Sequence, residues 1–375
     1  MFFYIGQECP IKSVEKVAEN LFLDKGWKCD NINGLNYWYK GYSTDCVLSS
    51  NIKEIINGYK ANGKYVIVSE MGDIHHPLLR GFPLYTNQKG ILSNIPLTEL
   101  NMVNYSQPFI TRKSNISLEE ASIQINEVLK ENVVNFFRYN KIDKLNVLFS
   151  GGIDTLTVWS IVDSLGYDYD LHIHVPKYFK DFGTKQEYQS DLIDLCRKKF
   201  WGYNLTSCYT KENWYITGFY SERIQLREVT QGHAIANYVG KNLHEIPTIK
   251  DYLYYFLQRP DKKINYAPTL TNEQDLLDYC NGTIYYDYQM WHIDNNYHFS
   301  PFYDIRITDI VNQLSLEDIV SNALNVIIQK NIIKYNRPDF LQLLADYKNA
   351  GNVYANYEKN FSKIILRENI TKYIP

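Results

Sequence analysis

The chain has 375 residues, of which 45% are apolar and 22% charged, a composition that supports a packed core and excludes global disorder. The net charge of −3 provides no general attraction to nucleic acid or to acidic membranes. No apolar run approaches the ~20 residues of a membrane span, the N-terminus lacks signal-peptide features and the six cysteines are dispersed, so we expect a cytoplasmic protein with reduced thiols.

Residues 1–114 are predicted to form an α+β sandwich. Apolar residues recur at helical spacing between residues 11 and 24, which predicts an early helix. Short apolar or alternating stretches then stand between turn-forming residues, which predicts hairpins of an antiparallel sheet. The predicted strands are residues 35–39, 64–69, 84–85 and 91–95.

Residues 115–375 are predicted to form an α/β domain with a helical C-terminal part. Ser117 and Glu120 have the spacing of a capping box, so a long helix should begin at Ser117. The strands and helices that follow alternate, which implies a parallel sheet covered by helices. The expected strands are residues 145–149, 170–175 and 214–218, and the expected helices are 155–165 (closed by Gly166), 185–200, 316–333 and 339–348.

The strongest local signal lies between the first of these strands and the helix after it. Adjacent glycines let the backbone turn tightly and approach a ligand, and a following helix N-terminus favours phosphate. Ser150 and Thr155 add hydroxyl donors, while Asp154 suits either a Mg²⁺ ligand or a cap for the loop's own amides. An ordinary capped Gly-Gly turn is the alternative. The segment reads Ser150-Gly151-Gly152-Ile153-Asp154-Thr155.

This segment resembles the SGGxD[ST] signature of the ATP-pyrophosphatase (PP-loop) superfamily. The resemblance implies that Ser150, Gly151, Gly152, Asp154 and Thr155 bind ATP with Mg²⁺. Members of that superfamily activate a carboxylate or carbonyl oxygen as an adenylate and release pyrophosphate. The loop amides and the metal would stabilise the charge that develops on the departing pyrophosphate.

Three further segments resemble the asparagine synthetase family, in the same order along the chain. They are residues 63–68 with 80–85, residues 216–222 (similar to "TGxGxDE") and residues 300–304 (similar to "PFLD"). The glutaminase cysteine of that family is missing, because Phe2 follows Met1 and the nearest cysteine is Cys9. The resemblance therefore implies an Ntn-like but inactive amidotransferase domain over residues 1–114, as in β-lactam synthetase-type members, followed by a PP-loop domain over residues 115–375.

The resemblance also implies roles for residues outside the loop. Gly218 would contact the nucleotide, and Glu222 would be a catalytic metal ligand beside Asp154, with Ser221 standing where a second acidic ligand is expected. Lys348 is the preferred catalytic lysine; Lys330 and Lys334 are alternatives.

The roles of two further pairs of residues, one of histidines and one of arginines, remain open. His174 is assigned either a structural role or a place on the adenine side of the site; with His172, two residues away on one strand, it gives a weaker zinc hypothesis. Arg223 and Arg227 are suited either to steering an anionic substrate or to exposed ion pairs.

The expected function is therefore an ATP-dependent, AMP-forming carbon–nitrogen ligase. It would adenylate a small-molecule carboxylate and transfer it to an amine or ammonia without hydrolysing glutamine. One alternative is a PP-loop enzyme that modifies a nucleobase in tRNA or DNA, because the 33 tyrosines leave base stacking open. Another is a non-catalytic scaffold with a residual nucleotide site. Nothing in the sequence indicates an oligomeric state, and no membrane partner is expected.

Overall fold

The fold contains both helices and strands, and the strands form two antiparallel sheets and one parallel sheet. It is seen in a computed structural model, which describes residues 3–11, 14–79, 84–94, 101–102, 116–142, 144–149, 153–173, 205–206, 214–218, 221, 224, 298–315, 318, 322 and 326–341. None of the helices in these ranges has both the length and the hydropathy needed to cross a membrane.

The N-terminal part contains ten strands, one short α-helix and a 3-10 turn (Leu48–Ser50) among its described residues. The elements are β1 (Phe3–Ile5), β2 (Glu15–Ala18), β3 (Leu21–Leu23), β4 (Lys28–Ile32), β5 (Leu35–Ser43), α1 (Ile52–Ile56), β6 (Gly63–Ser69), β7 (Ile74–His75), β8 (Tyr85–Thr86), β9 (Leu92–Ser93) and β10 (Asn101–Met102). The order in the first sheet is β10-β8-β9-β1-β3-β2, and in the second it is β4-β5-β6-β7. All neighbouring strands in both sheets are antiparallel.

The early helix predicted over residues 11–24 is wrong, because β2 and β3 form a hairpin there. Strand β1 supplies a pairing partner for β3 that periodicity alone does not reveal. Leu21 and Leu23 are buried and Phe22 between them is only half-buried, which is the two-residue period of a strand. The four hairpin strands predicted after it are confirmed, with shifted ends.

Strand β5 continues past residue 39, where the prediction ended it at Lys40-Gly41. Gly41 has φ of +115°, and a Cβ there would lie 2.0 Å from the carbonyl oxygen of Lys64, so only glycine keeps β5 paired with β6. The two antiparallel sheets share one apolar cluster that includes Phe3, Leu21, Val66 and Val68. Helix α1 packs on the other face of the second sheet.

The C-terminal part is built on the parallel sheet that the strand–helix alternation predicts. The elements are α2 (Leu118–Asn140), β11 (Leu145–Phe149), α3 (Ile153–Ser164), β12 (Tyr169–Ile173), β13 (Leu205–Thr206), β14 (Tyr215–Ile216), β15 (His298–Phe299), α4 (Ile305–Val311) and α5 (Ile327–Asn336). The described strands run in the order β13-β12-β11-β14-β15, and every neighbouring pair is parallel. Helix α2 begins with the expected capping box: the Ser117 side chain accepts from the Glu120 amide (3.1 Å), and the Glu120 carboxylate accepts from the Ser117 amide (2.8 Å).

The single helix predicted over residues 316–333 is wrong. Val326 has a left-handed backbone (φ +49°), and α5 begins only after it. The buried side chain of Asn322 stabilises this break, because its Oδ1 accepts from the Ile328 amide and its Nδ2 donates to the Ile224 carbonyl. The helix predicted over residues 185–200 lies outside the described residues, as does residue 342 onward of the one predicted over 339–348.

Side chains of the N-terminal part contribute to the core around the parallel sheet. Tyr42 on β5 packs edge-on against Phe136, Trp214 and Phe299, with ring centroids 5.3–5.8 Å away. Tyr303 donates from its hydroxyl to the Leu79 carbonyl (2.8 Å). The two halves of the chain therefore share one apolar cluster around these aromatic rings.

Candidate functional site

The order of the parallel strands creates a crevice beside β11. From β11 the chain passes through α3 to β12 and β13 on one side, whereas β14 and β15 lie on the other side. In open parallel sheets, ligands bind outside the carboxyl ends of the strands at the point where the direction of strand addition reverses. That point lies between β11 and β14, so their carboxyl ends define the candidate site.

Residues 150–152 connect the carboxyl end of β11 to the first residue of α3. Ser150, Gly151 and Gly152 themselves lie outside the described residues, but both flanking elements are described. Helix α3 begins at Ile153, two residues earlier than predicted. It is apolar almost all round, and Leu156, Val158, Trp159 and Ile161 are buried, so the helix is held rigidly in the core with its N-terminus at the carboxyl edge of the sheet.

Gly218 lies directly against the first turn of α3. A Cβ on Gly218 would come within 2.6 Å of the Asp154 carbonyl carbon and 2.8 Å of the Thr155 amide nitrogen. The preceding residue, Thr217, donates its amide to the Phe299 carbonyl (2.9 Å), which fixes this segment to β15. The structure thus brings together three of the residues assigned to nucleotide binding, namely Asp154, Thr155 and Gly218.

Gln329 is a member of this site that the sequence reasoning missed. It is fully buried on α5, and its Nε2 donates a hydrogen bond to Oδ1 of the half-buried Asp154. Its Oε1 has no hydrogen-bond partner among the described residues. The available signal was a single amide within the otherwise apolar inward face of α5, beside Ile328, Ile332 and Ile333.

The segment after Gly218 turns back into the core. Ser221 is fully buried and its Oγ has no hydrogen-bond partner within the ranges the structure covers. The Ser221 amide donates to the Gly218 carbonyl at 3.4 Å. The residue that stands where the family resemblance expects an acidic ligand is therefore a buried hydroxyl. Glu222, Arg223 and Arg227 lie outside the described residues.

The remaining assignments are not brought to the site by the described structure. Lys330 and Lys334 are exposed on α5, whereas Gln329, the residue before Lys330, is buried. His174 and Lys348 lie outside the described residues, and of His172 only the backbone, on β12, is described.

The segment at residues 300–304 has a structural role that its sequence did not reveal. Asp304 caps α4 through the Arg306 amide (2.9 Å) and is almost completely buried. The Arg306 guanidinium binds the same carboxylate through Nη2 at 2.7 Å, and Asn132 donates to it at 3.1 Å. Burial alone would lower the pKa of Arg306. Its hydrogen bonds and charge interactions with Asp304 and Glu131 raise the pKa by more than burial lowers it, so the net shift is upward.

The donors at the first turn of α3 are of the type that Mg²⁺ prefers. They are the oxygen atoms of the Asp154 carboxylate and the Thr155 hydroxyl, with the amide oxygen of Gln329 contributed by the neighbouring helix α5. No group of three or more His, Cys, Asp or Glu side chains is found in the portion of the chain described here. The donor set thus fits a hydrated magnesium ion accompanying a phosphate ligand better than a metal enclosed by protein ligands alone.

Comparisons with known proteins add no assignment to this geometry. No protein-family model matches the chain, and a search of curated proteins found no match either.

Proposed function

We propose that the chain is an ATP-dependent, AMP-forming carbon–nitrogen ligase of the PP-loop type, similar to asparagine synthetases. In this proposal residues 115–375 form the ATP-pyrophosphatase domain, and residues 1–114 form an Ntn-like domain without glutaminase activity. The substrates are a small-molecule carboxylate and an amine or ammonia, and the cofactor is Mg²⁺. A cytoplasmic location follows from the same proposal.

One observation carries it. The segment Ser150–Thr155 joins the carboxyl end of β11 to α3 beside the crevice between β11 and β14, and Gly218 approaches the first turn of α3 closely. A glycine-containing loop at a buried helix N-terminus, at the reversal point of a parallel sheet, has the features of a phosphate site. The segment also matches SGGxD[ST] at every defined position.

The chain's own groups then have distinct tasks. The amides at the start of α3 hold the phosphates, and the buried helix keeps them in place without reorganisation. Asp154 and Thr155 would hold the magnesium ion, with Glu222 as a second acidic group, and the ion would supply charge neutralisation on the departing pyrophosphate. His174 would contact the adenine, and Lys348 would balance the charge of the adenylate.

The first test is binding of ATP with Mg²⁺ by thermal shift. A ligand that binds only the native state raises the melting temperature as its concentration exceeds Kd. We expect a shift for the unmodified chain and a clearly smaller one for Asp154→Asn. Asp168→Asn is the matched control, because Asp168 is an exposed aspartate that precedes β12 at the opposite edge of the sheet.

The second test is ATP–pyrophosphate exchange across a panel of carboxylic acids, followed by product analysis with amines. Acid-dependent exchange, with AMP and an amide as final products, is the expected result. Exchange that needs tRNA or DNA instead, with binding that weakens steeply with salt, would favour the nucleobase-modifying alternative. Absence of both the ATP shift and any exchange would contradict the ligase and leave the scaffold.

A further inference from the structure

The buried amide of Gln329 distinguishes this site from a simple helix N-terminus. Its Nε2 donates to Oδ1 of Asp154 at 2.5 Å, so the Gln329 amide group lies directly beside that carboxylate. The opposite amide orientation would place Oε1 against the Asp154 oxygen, and two acceptors repel each other. The donor therefore faces Asp154, and the carbonyl oxygen is the group left without a partner among the described residues.

This arrangement is unfavourable unless another group completes it. A fully buried carbonyl oxygen that lacks a donor retains the cost of removal from water. An aliphatic side chain at position 329 would avoid that cost, because Ile328, Ile332 and Ile333 already make this side of α5 apolar. The amide is thus expected to serve a ligand-bound state in which a donor reaches Oε1.

We propose, resting on the ATP-dependent function above, that Gln329 is a positioning residue for the magnesium site. Its Nε2 fixes the orientation of the Asp154 carboxylate, and its Oε1 accepts a hydrogen bond from a water molecule of the hydrated Mg²⁺ bound by Asp154. Magnesium in nucleotide sites usually keeps several of its waters, which present O–H donors. Outer groups that orient ligands in this way typically change metal affinity by about 10- to 100-fold.

The experiment measures Mn²⁺ binding by electron paramagnetic resonance, with the full chain at saturating ATP. We expect Gln329→Met, which keeps the length but loses both hydrogen-bonding groups, to weaken Mn²⁺ binding by about 10-fold or more. Gln329→Asn, which withdraws the amide by one methylene group, should weaken it too and decides the matter if Gln329→Met fails to fold. Asn331→Leu is the matched control, because Asn331 lies on the same helix but donates to Ser122 on α2.

A double-mutant cycle of Gln329→Met and Asp154→Asn shows whether Gln329 acts by orienting Asp154 or only by packing in the core. If Gln329 acts through Asp154, adding Gln329→Met to Asp154→Asn should reduce Mn²⁺ binding little further; full additivity would overturn the proposal. Unchanged Mn²⁺ affinity in the folded Gln329 variants would also overturn it while leaving the ATP-dependent function intact. Failure of the unmodified chain to bind Mn²⁺ with ATP would instead contradict the function itself.

Discussion

Gly218 and Asp154 lie so close together that the Cα hydrogens of Gly218 occupy the space a methyl group would need. A Cβ at residue 218 would meet the Asp154 carbonyl carbon at 2.6 Å and the Asp154 Cβ at 2.8 Å. The contact is to backbone at the start of a buried helix, so neither partner has a flexible end that can move aside. The spacing of Gly218, just after β14, from the first turn of α3 is therefore set by the absence of a side chain.

Replacing Gly218 by alanine should therefore impair nucleotide binding. We expect Gly218→Ala to destabilise the chain by about 1–3 kcal/mol through overpacking and to abolish the thermal shift produced by ATP with Mg²⁺. Gly166→Ala is the control: Gly166 ends α3 at φ +72° with open space around it, so its variant should lose stability but keep the ATP shift. An undiminished shift in Gly218→Ala would contradict the placement of the site.

Replacing Arg306 should show how strongly the cap formed by Asp304 depends on its ion pair with Arg306. The Asp304 side chain has no solvent exposure, so Arg306→Met leaves a buried carboxylate without its main cationic partner. The Arg306 side chain is itself 36% exposed, so we expect a loss of about 1.5–3 kcal/mol, the range for hydrogen bonds to a charged group, measurable by urea denaturation. The exposed pair of Lys144 with Asp170 offers the comparison, because Lys144→Met should change stability very little. Equal effects of the two variants would refute this interpretation.

Tyr42 should stabilise both halves of the chain. Tyr42→Ala removes a ring that contacts Phe136, Trp214 and Phe299, and we expect a loss of about 3–5 kcal/mol. Tyr42→Phe should cost far less, because the hydroxyl accepts only a long bond of 3.4 Å from the Ser300 amide. Denaturation followed by tryptophan fluorescence measures both, and Tyr59→Ala at an exposed position serves as the reference. A small effect of Tyr42→Ala would show that the two halves are stabilised separately.

Lys64 should make the free energy of unfolding depend on pH in the alkaline range. Burial lowers the pKa of Lys64 from 10.5 to about 8, because the charged ammonium is poorly solvated beside β5. Between these two values the unfolded chain binds more protons than the folded one, so this residue's contribution to stability rises as pH increases from 8 to 10.5. The difference in melting temperature between Lys64→Met and the unmodified chain should accordingly be greatest below pH 8 and shrink above it. A difference that does not change with pH would show that the ammonium is solvated.

The sequence predicted the parts of the fold in which local and tertiary preferences agree. The capping box at Ser117 and the apolar strand at residues 145–149 specify their own elements, and both are found. Residues 11–24 carry apolar positions that suit a helix and a hairpin alike, and only the pairing of β3 with β1 decides between them. The break in the predicted helix at Val326 could not be inferred from the sequence either. It depends on Asn322, whose side chain forms hydrogen bonds with both Ile224 and Ile328.

The sequence indicated the part of the candidate site that lies within one contiguous segment. It did not indicate the parts that depend on contact between distant segments. Adjacent glycines and Asp154 could be read as a phosphate loop because strand, loop and helix are contiguous. The close approach of Gly218 follows from the placement of β14 beside β11, which the order of elements leaves open. Gln329 could not be assigned, because its contact with Asp154 requires both the break at Val326 and the packing of α5 on α3.

The bond between Gln329 and Asp154 spans 175 positions of the chain. During synthesis the loop after β11 leaves the ribosome long before α5 does, so a nascent chain can build the central strands while the carboxylate still lacks its amide partner. Closing so large a loop is entropically costly and must be compensated by the packing of α5 itself. The contact at Asp154 should consequently form among the last steps of folding, and premature termination upstream of α5 would leave the glycine loop without it.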